Sequence, residues 1–133
     1  MKRTRNVCPF CGCGCGFYLL SEQDRVVGID PSPTNPVNKG MLCVKGWNAH
    51  EFIHSPERLT KPLIRKHGEL VEASWDEALK LVSQKLMEIK KKFGPRSLAF
   101  LCSAKVSNEE NYLLMKLARA VFKTNNVDHC ARL

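Results

Sequence analysis

No apolar run in these 133 residues approaches the ~20 that a membrane-spanning helix needs. A secretory leader is not expected either. Met1-Lys2-Arg3-Thr4-Arg5 leads straight to Cys8, before the apolar core of a leader can form. Without export, the seven cysteines do not read as a disulfide framework, and their odd number points the same way. A cytoplasmic chain with reduced thiols available for metal is the expectation. There are no internal repeats and no low-complexity tract. Hydrophobic content is 44%, which argues against disorder.

Net charge is +8, with clusters at Lys2, Arg3 and Arg5 and at Lys90 to Lys92. Such clusters read first as a solvated terminus and a solvated helix end. Nucleic acid, an acidic partner or a cofactor's phosphates are the other readings of a basic balance.

The informative stretch runs from Cys8 to Lys45. It opens with Cys8-Pro9-Phe10-Cys11-Gly12-Cys13-Gly14-Cys15-Gly16 and closes with Gly40-Met41-Leu42-Cys43-Val44-Lys45-Gly46. Cys8, Cys11, Cys15 and Cys43 form a C-x2-C-x3-C-x27-C pattern. A cubane iron–sulfur cluster takes four thiolates from a compact, looped backbone. Gly12, Gly14 and Gly16 are expected to supply positive φ and close approach to the sulfides. Backbone amides aimed at the sulfurs would tune the potential. A zinc site is the competing reading, since Cys8-Pro9-Phe10-Cys11-Gly12 also resembles one knuckle of a zinc ribbon that binds nucleic acid. A ribbon needs a second C-x2-C pair, and Cys43 stands alone. A mononuclear redox thiol site is a third possibility. Cys13 breaks the rhythm and reads as a small loop residue, and Cys102 as a core thiol. His50 and His54, four apart without a third ligand, read as packing or surface residues.

Around this stretch the pattern gives an α+β to α/β chain: a small β-rich domain at 1–60, then the start of an α/β domain at 61–133. Arg5 to Val7 reads as a strand. Phe17 to Leu20 and Val26 to Ile29 make a hairpin about Ser21-Glu22-Gln23-Asp24. A Pro-rich loop from Asp30 to Lys39 returns Cys43 to the other thiols. Trp47 to Ile53 suggests a short helix, and Leu63 to Arg65 with Leu70 to Glu72 a second hairpin. Ser74-Trp75-Asp76-Glu77 is a capping box. Behind it Leu79, Val82, Leu86, Ile89 and Phe93 form an amphipathic stripe that Gly94-Pro95 ends. Leu98 to Leu101 reads as a buried parallel strand. Ser107 to Glu110 is a second capping box. The helix behind it, about Glu109 to Lys123, is apolar on most sides and is expected to be buried on several faces. A short strand starts at Val127.

Cys8 to Cys15, Val26-Val27-Gly28-Ile29, and Asn35 through Gly46 together closely resemble the N-terminal segment of molybdopterin oxidoreductases. Phe52, Arg58 to Leu63 and Trp75-Asp76-Glu77-Ala78 continue the likeness, which is strongest to catalytic subunits of formate dehydrogenases. The resemblance implies one [4Fe–4S] cluster held by Cys8, Cys11, Cys15 and Cys43. It implies molybdenum or tungsten on two molybdopterin guanine dinucleotides in larger α/β domains. Lys45 matches the family's lysine between cluster and pterin, assigned to electron transfer. The implied reaction interconverts formate and CO2, with electrons leaving to ferredoxin-like iron–sulfur subunits and with a hydrogenase as a further candidate partner. A different molybdopterin oxidoreductase, such as a cytoplasmic nitrate reductase, is the alternative. The chain is several times shorter than the family. In formate dehydrogenases a segment like Val127 to Leu133 runs into a metal-ligating selenocysteine or cysteine followed by histidine. Cys130 stands four places before that slot and is not taken for the ligand. The chain is expected to be one piece of a larger subunit, to pack at Leu133 against the remainder of that subunit, and to be inactive alone.

Overall fold

The computed structural model describes residues 1–130; the expected packing at Leu133 lies outside the described residues. Two compact units are distinguished. The first comprises Met1–Arg58 and Cys102–Leu114, with the segment that begins at His129. The second comprises Leu59–Leu101 and Met115–Asp128. Among the described residues no helix is long and apolar enough to cross a membrane.

In the first unit, β1 (Lys2–Val7), β2 (Gly16–Glu22) and β3 (Arg25–Pro31) form an antiparallel sheet in that order. β1 is longer than the expected Arg5 to Val7. Its cations and Asn6 are all exposed, as suits an edge strand. The β2–β3 hairpin closes through Gln23 (φ 46°) and Asp24 (φ 63°), a two-residue turn whose twist matches its strands. Period-two alternation sends Phe17, Leu19 and Ile29 to one face, where they pack with Cys8, Cys15, Ala49 and Leu42. The expected helix from Trp47 to Ile53 is instead two pieces, α1 (Val44–Trp47) and a 3-10 turn at Glu51–His54. Asn48 divides them, its side chain donating to the Val44 carbonyl at 2.9 Å.

The second unit holds β4 (Leu63–Lys66) and β5 (Glu69–Glu72), joined through His67 (φ 52°) and Gly68 (φ 92°). Next comes α2 (Trp75–Phe93). Ser74 caps it by accepting from the Glu77 amide at 3.1 Å, and Gly94 ends it at φ 82°. Ile64, Ala73 and Ala78 form a small core with Val71 and Leu81. Most of α2's stripe is nevertheless exposed, Leu79 at 60% and Phe93 at 64%.

β6 is Phe100–Ser103, two residues later than expected, and pairs with β7 (Val127–Cys130) in a two-stranded sheet. The expectation of a buried strand is corrected: Leu98 is buried ahead of it, but Leu101 is exposed. Cys102 is only half-buried. The last helix has two geometries, α3 (Asn108–Lys116) and a π-helical segment at Leu117–Phe122, ended by Lys123 at φ 60°. Its capping box is reciprocal. Ser107 Oγ accepts from the Glu110 amide at 3.3 Å, and the Glu110 carboxylate accepts from the Ser107 amide at 2.7 Å. Among the described residues this helix is covered only in part, as expected of an apolar helix in one piece of a larger subunit. Ala118 and Phe122 are buried, while Tyr112, Leu113, Leu117 and Val121 are exposed. Phe122 packs against Phe100, with ring centroids 5.3 Å apart.

Candidate metal centre

The β1–β2 register positions the first thiols. Val7 pairs with Gly16, so Cys8 and Cys15 leave the two strands side by side. The Cys8 amide donates to the Cys15 carbonyl at 2.9 Å. The cysteine loop is therefore the connection of a hairpin, and Cys11 lies on it. Of its three glycines only Gly14 turns through positive φ (+81°), which corrects the expectation for the other two. Gly12 and Gly16 are required for space. A Cβ on Gly12 would collide with the Asn108 side-chain oxygen, whose amide donates to the Gly12 carbonyl at 2.8 Å. A Cβ on Gly16 would collide with the Asn35 side-chain nitrogen and lie 2.9 Å from its Cγ.

Cys43 comes back on the loop that follows β3. That loop buries three polar residues, Ser32, Asn35 and Asn38. Asn35 Oδ1 accepts from the Val37 and Asn38 amides at 2.9 and 3.2 Å, folding the loop on itself. Asn38 reaches to Gly16, accepting from its amide at 2.8 Å and donating to its carbonyl at 3.2 Å. Such burial is tolerable only because the groups are paired. Cys43 is the N-cap of α1. The Gly46 amide, then the Lys45 amide, donate to its thiol, and the Lys45 charge adds to them; together they hold its pKa below the ordinary value.

Cys8, Cys11, Cys15 and Cys43 line one cavity of about 230 Å³, together with Phe10, Leu42 and Lys45. Burial raises the Cys8 thiol. It also pushes Cys15 up to about 11, with the Cys13 thiol and the charges of Cys13, Cys8 and Cys11 contributing. Thiols gathered in this way resist ionising together, and bound cationic iron would offset that repulsion. Among the described residues no three His, Cys, Asp or Glu side chains form a group set to hold a single metal ion. The four-thiol donor set and the cavity those residues line fit a polynuclear iron–sulfur group, in which each thiolate would bind one iron.

The remaining candidates lie elsewhere. Cys13 is exposed and does not line the cavity. His54 Nε2 accepts from the Val26 amide at 2.9 Å, so it ties the 3-10 turn to β3 as a packing residue. The Nδ1 of His50 is buried without a hydrogen-bond partner among the described residues. Cys130 is exposed, 3.6 Å from Ser103 Oγ. Sequence reasoning missed Asn35, Asn38 and Asn108. The signal for the first two was weak: two asparagines in a Pro-rich loop read as turn formers.

Residues 58–133 match the family described as molybdopterin oxidoreductase, and residues 1–55 match the molybdopterin oxidoreductase Fe4S4 domain. The chain is 54% identical over 127 residues to the F420-dependent formate dehydrogenase 1 subunit alpha of Methanococcus maripaludis, covering 96% of this chain and 18% of that protein. It is 47% identical over 132 residues to the F420-dependent formate dehydrogenase subunit alpha of Methanocaldococcus jannaschii, covering 99% of this chain and 19% of that one. Acetylene hydratase from Pelobacter acetylenicus shares the fold at a TM-score of 0.65 and 27% identity, over 96% of this chain and 18% of that chain. The chain thus spans less than one fifth of the length of these relatives. Its matches across both segments, and the thiol-lined cavity inside the first, place it in the molybdopterin oxidoreductase family, with an Fe4S4 domain at its start.

Proposed function

We propose that the chain is the N-terminal part of the catalytic subunit of a formate dehydrogenase or CO2 reductase, which interconverts formate with CO2, one proton and two electrons. The observation that carries this reading is the 54% identity to a formate dehydrogenase alpha subunit, against 27% to acetylene hydratase. When bound, a [4Fe–4S] cluster supplies one-electron transfer, and molybdenum or tungsten on two molybdopterin guanine dinucleotides supplies the two-electron chemistry.

Cys8, Cys11, Cys15 and Cys43 are the proposed cluster ligands, supported by their common cavity. Cys8 is buried, with Phe10 and Leu42 packed beside it, whereas Cys11 and Cys15 are half-buried and Cys43 is exposed. Lys45 is the proposed electron-relay residue. Its ammonium beside Cys43 favours the more negative, reduced state of whatever the thiols hold, and it can donate hydrogen bonds. The domains divide at 60/61 in this reading. The exposed apolar residues Leu79, Val82 and Phe93 of α2 pack against the remainder of the subunit. Ferredoxin-like iron–sulfur subunits receive the electrons, a hydrogenase being a further candidate, and the site of action is the cytoplasm.

The test is anaerobic purification of the complete protein. It is expected to be brown, to hold four irons and four sulfides on this segment, and to oxidise formate with a dye acceptor. Colourless protein with one zinc overturns the reading. Lys45→Met should keep the cluster and slow dye reduction by about tenfold, the factor that ~1.4 kcal/mol of lost electrostatic stabilisation gives. A wild-type rate would remove Lys45 from the path. The second reading is a molybdopterin oxidoreductase of other specificity, such as a nitrate reductase. The shared fold of acetylene hydratase keeps it open, since fold does not dictate chemistry. Turnover of nitrate but not formate would select it.

A further inference from the structure

We infer that Asn38 is the positioning residue for the fourth cluster ligand, a role that rests on the reading of Cys8, Cys11, Cys15 and Cys43 as the ligand set. The four thiols are not held in place in the same way. Cys8 and Cys15 are fixed by the hairpin itself, through the Val7–Gly16 pairing and the 2.9 Å bond between their own backbones. Cys43 is 28 positions from Cys15 and belongs to no strand of that sheet. Its place depends on how the returning loop is tied down.

Asn38 makes that tie. Its side chain accepts from the Gly16 amide at 2.8 Å and donates to the Gly16 carbonyl at 3.2 Å, closing a two-bond ring with the residue next to Cys15. The same side-chain nitrogen donates to the Met41 carbonyl at 2.8 Å. The Asn38 carbonyl in turn accepts from the Met41 amide at 2.8 Å. Met41 lies two residues before Cys43. One buried side chain therefore links the neighbour of one thiol to the approach of another, and it uses its oxygen and both of its donor hydrogens to do so. Asn38 is 8% exposed, so water does not readily replace these bonds. A second backbone tie, from the Ser32 amide to the Gly16 carbonyl at 3.0 Å, lies at the far end of the loop and leaves the Met41 end to Asn38.

Weakening Asn38 should therefore release one corner of the cluster and not the other three. Cys8, Cys11 and Cys15 stay on their hairpin, while Cys43 drifts from its iron. An iron with a poorly held thiolate is the one that leaves on oxidation, and a three-iron cluster remains on the other three thiolates.

The experiment compares Asn38→Asp with wild type in the complete protein. The aspartate keeps the shape but loses both donors and sets a carboxylate against the Gly16 and Met41 carbonyls. The readouts are iron and sulfide per chain, and the EPR signal of a three-iron cluster, before and after brief exposure to air. Asn38→Asp should lose one of four irons about tenfold faster than wild type, the size expected from removing buried hydrogen bonds. Its oxidised EPR spectrum should match that of Cys43→Ser. Iron loss at the wild-type rate overturns the inference. So does loss of all iron together, since that marks a general folding role. If Asn38→Asp fails to fold, as judged by circular dichroism, Asn38→Ser takes its place and is judged in the same way, because it keeps one donor and one acceptor. A wild-type protein without iron would instead refute the cluster reading, whatever the variants do.

Discussion

The two compact units draw on apolar contact and buried hydrogen bonds in different proportions. In the first, three polar residues, Ser32, Asn35 and Asn38, are buried beside Cys8 and Phe17, and hydrogen bonds connect the thiol-bearing segments. In the second, the interior is small and mostly apolar, built from Ile64, Ala73 and Ala78 and from the Phe100–Phe122 pair, with buried Thr124 donating to the Leu98 carbonyl at 3.4 Å. Hydrogen bonds are directional, whereas apolar contact is not. A cage of thiols must hold particular atoms at particular points, so directional bonds suit it. A layer that has only to bury an amphipathic helix can rely on contact area. The second unit also leaves most of its helical stripe exposed. Its apolar surface exceeds what its own residues cover, which agrees with a chain spanning under one fifth of its relatives.

The largest expected effect tests the thiol cage directly. Cys15→Ser should lose the cluster or convert it to a three-iron form, whereas Cys13→Ser should keep four irons, because Cys13 does not line the cavity. Iron counting and EPR decide this, and the reverse outcome would mean that the hairpin presents a different thiol. Next in size is the apolar contact of the second unit. Phe122→Ala removes a ring that is 5% exposed and should cost about 3–5 kcal/mol locally. Faster hydrogen exchange in residues 96–101 and 118–126 is the readout. Unchanged exchange there would show that the Phe100–Phe122 pair does not hold that unit.

Gly16→Ala examines the first unit without touching a thiol. The added methyl meets the Asn35 side chain and should cost about 1–3 kcal/mol, as overpacking does. Faster loss of the cluster under mild denaturant would register it. Behaviour like wild type would mean that the loop yields more readily than its buried hydrogen bonds imply. The smallest effect is at the helix cap. Ser74→Ala removes the acceptor of the Glu77 amide and should cost ~1 kcal/mol, read as faster amide exchange confined to the first turn of α2. Exchange that spreads through all of α2 would show that its stability rests on this cap, not on the Ala73, Ala78 and Ile64 contacts.

Sequence alone was sufficient for the caps and hairpins, whose determining interactions are local, though not for the break that Asn48 makes after α1. Both caps span four residues: the Ser107–Glu110 box closes in both directions, while at Ser74 the Glu77 amide bond forms and the Glu77 carboxylate pairs with Lys66 at 2.8 Å. Both hairpins were legible because a two-residue turn sets its own register, here through Gln23-Asp24 and His67-Gly68. The thiol spacing was legible for a chemical reason, as few groups other than a metal centre call for four cysteines in that rhythm. Tertiary structure decided whatever depends on a partner far along the chain. Asn38 became a tie only because Gly16, 22 positions earlier, lies beside it. Gly12 and Gly16 proved to be spacers, not turns, because Asn108 and Asn35 close on them. Leu101 reads like a core residue yet is exposed, since alternation along a strand shows which residues share a face and not whether anything covers it. Periodicity and capping are written in neighbouring residues, whereas burial and close approach belong to the space between distant ones.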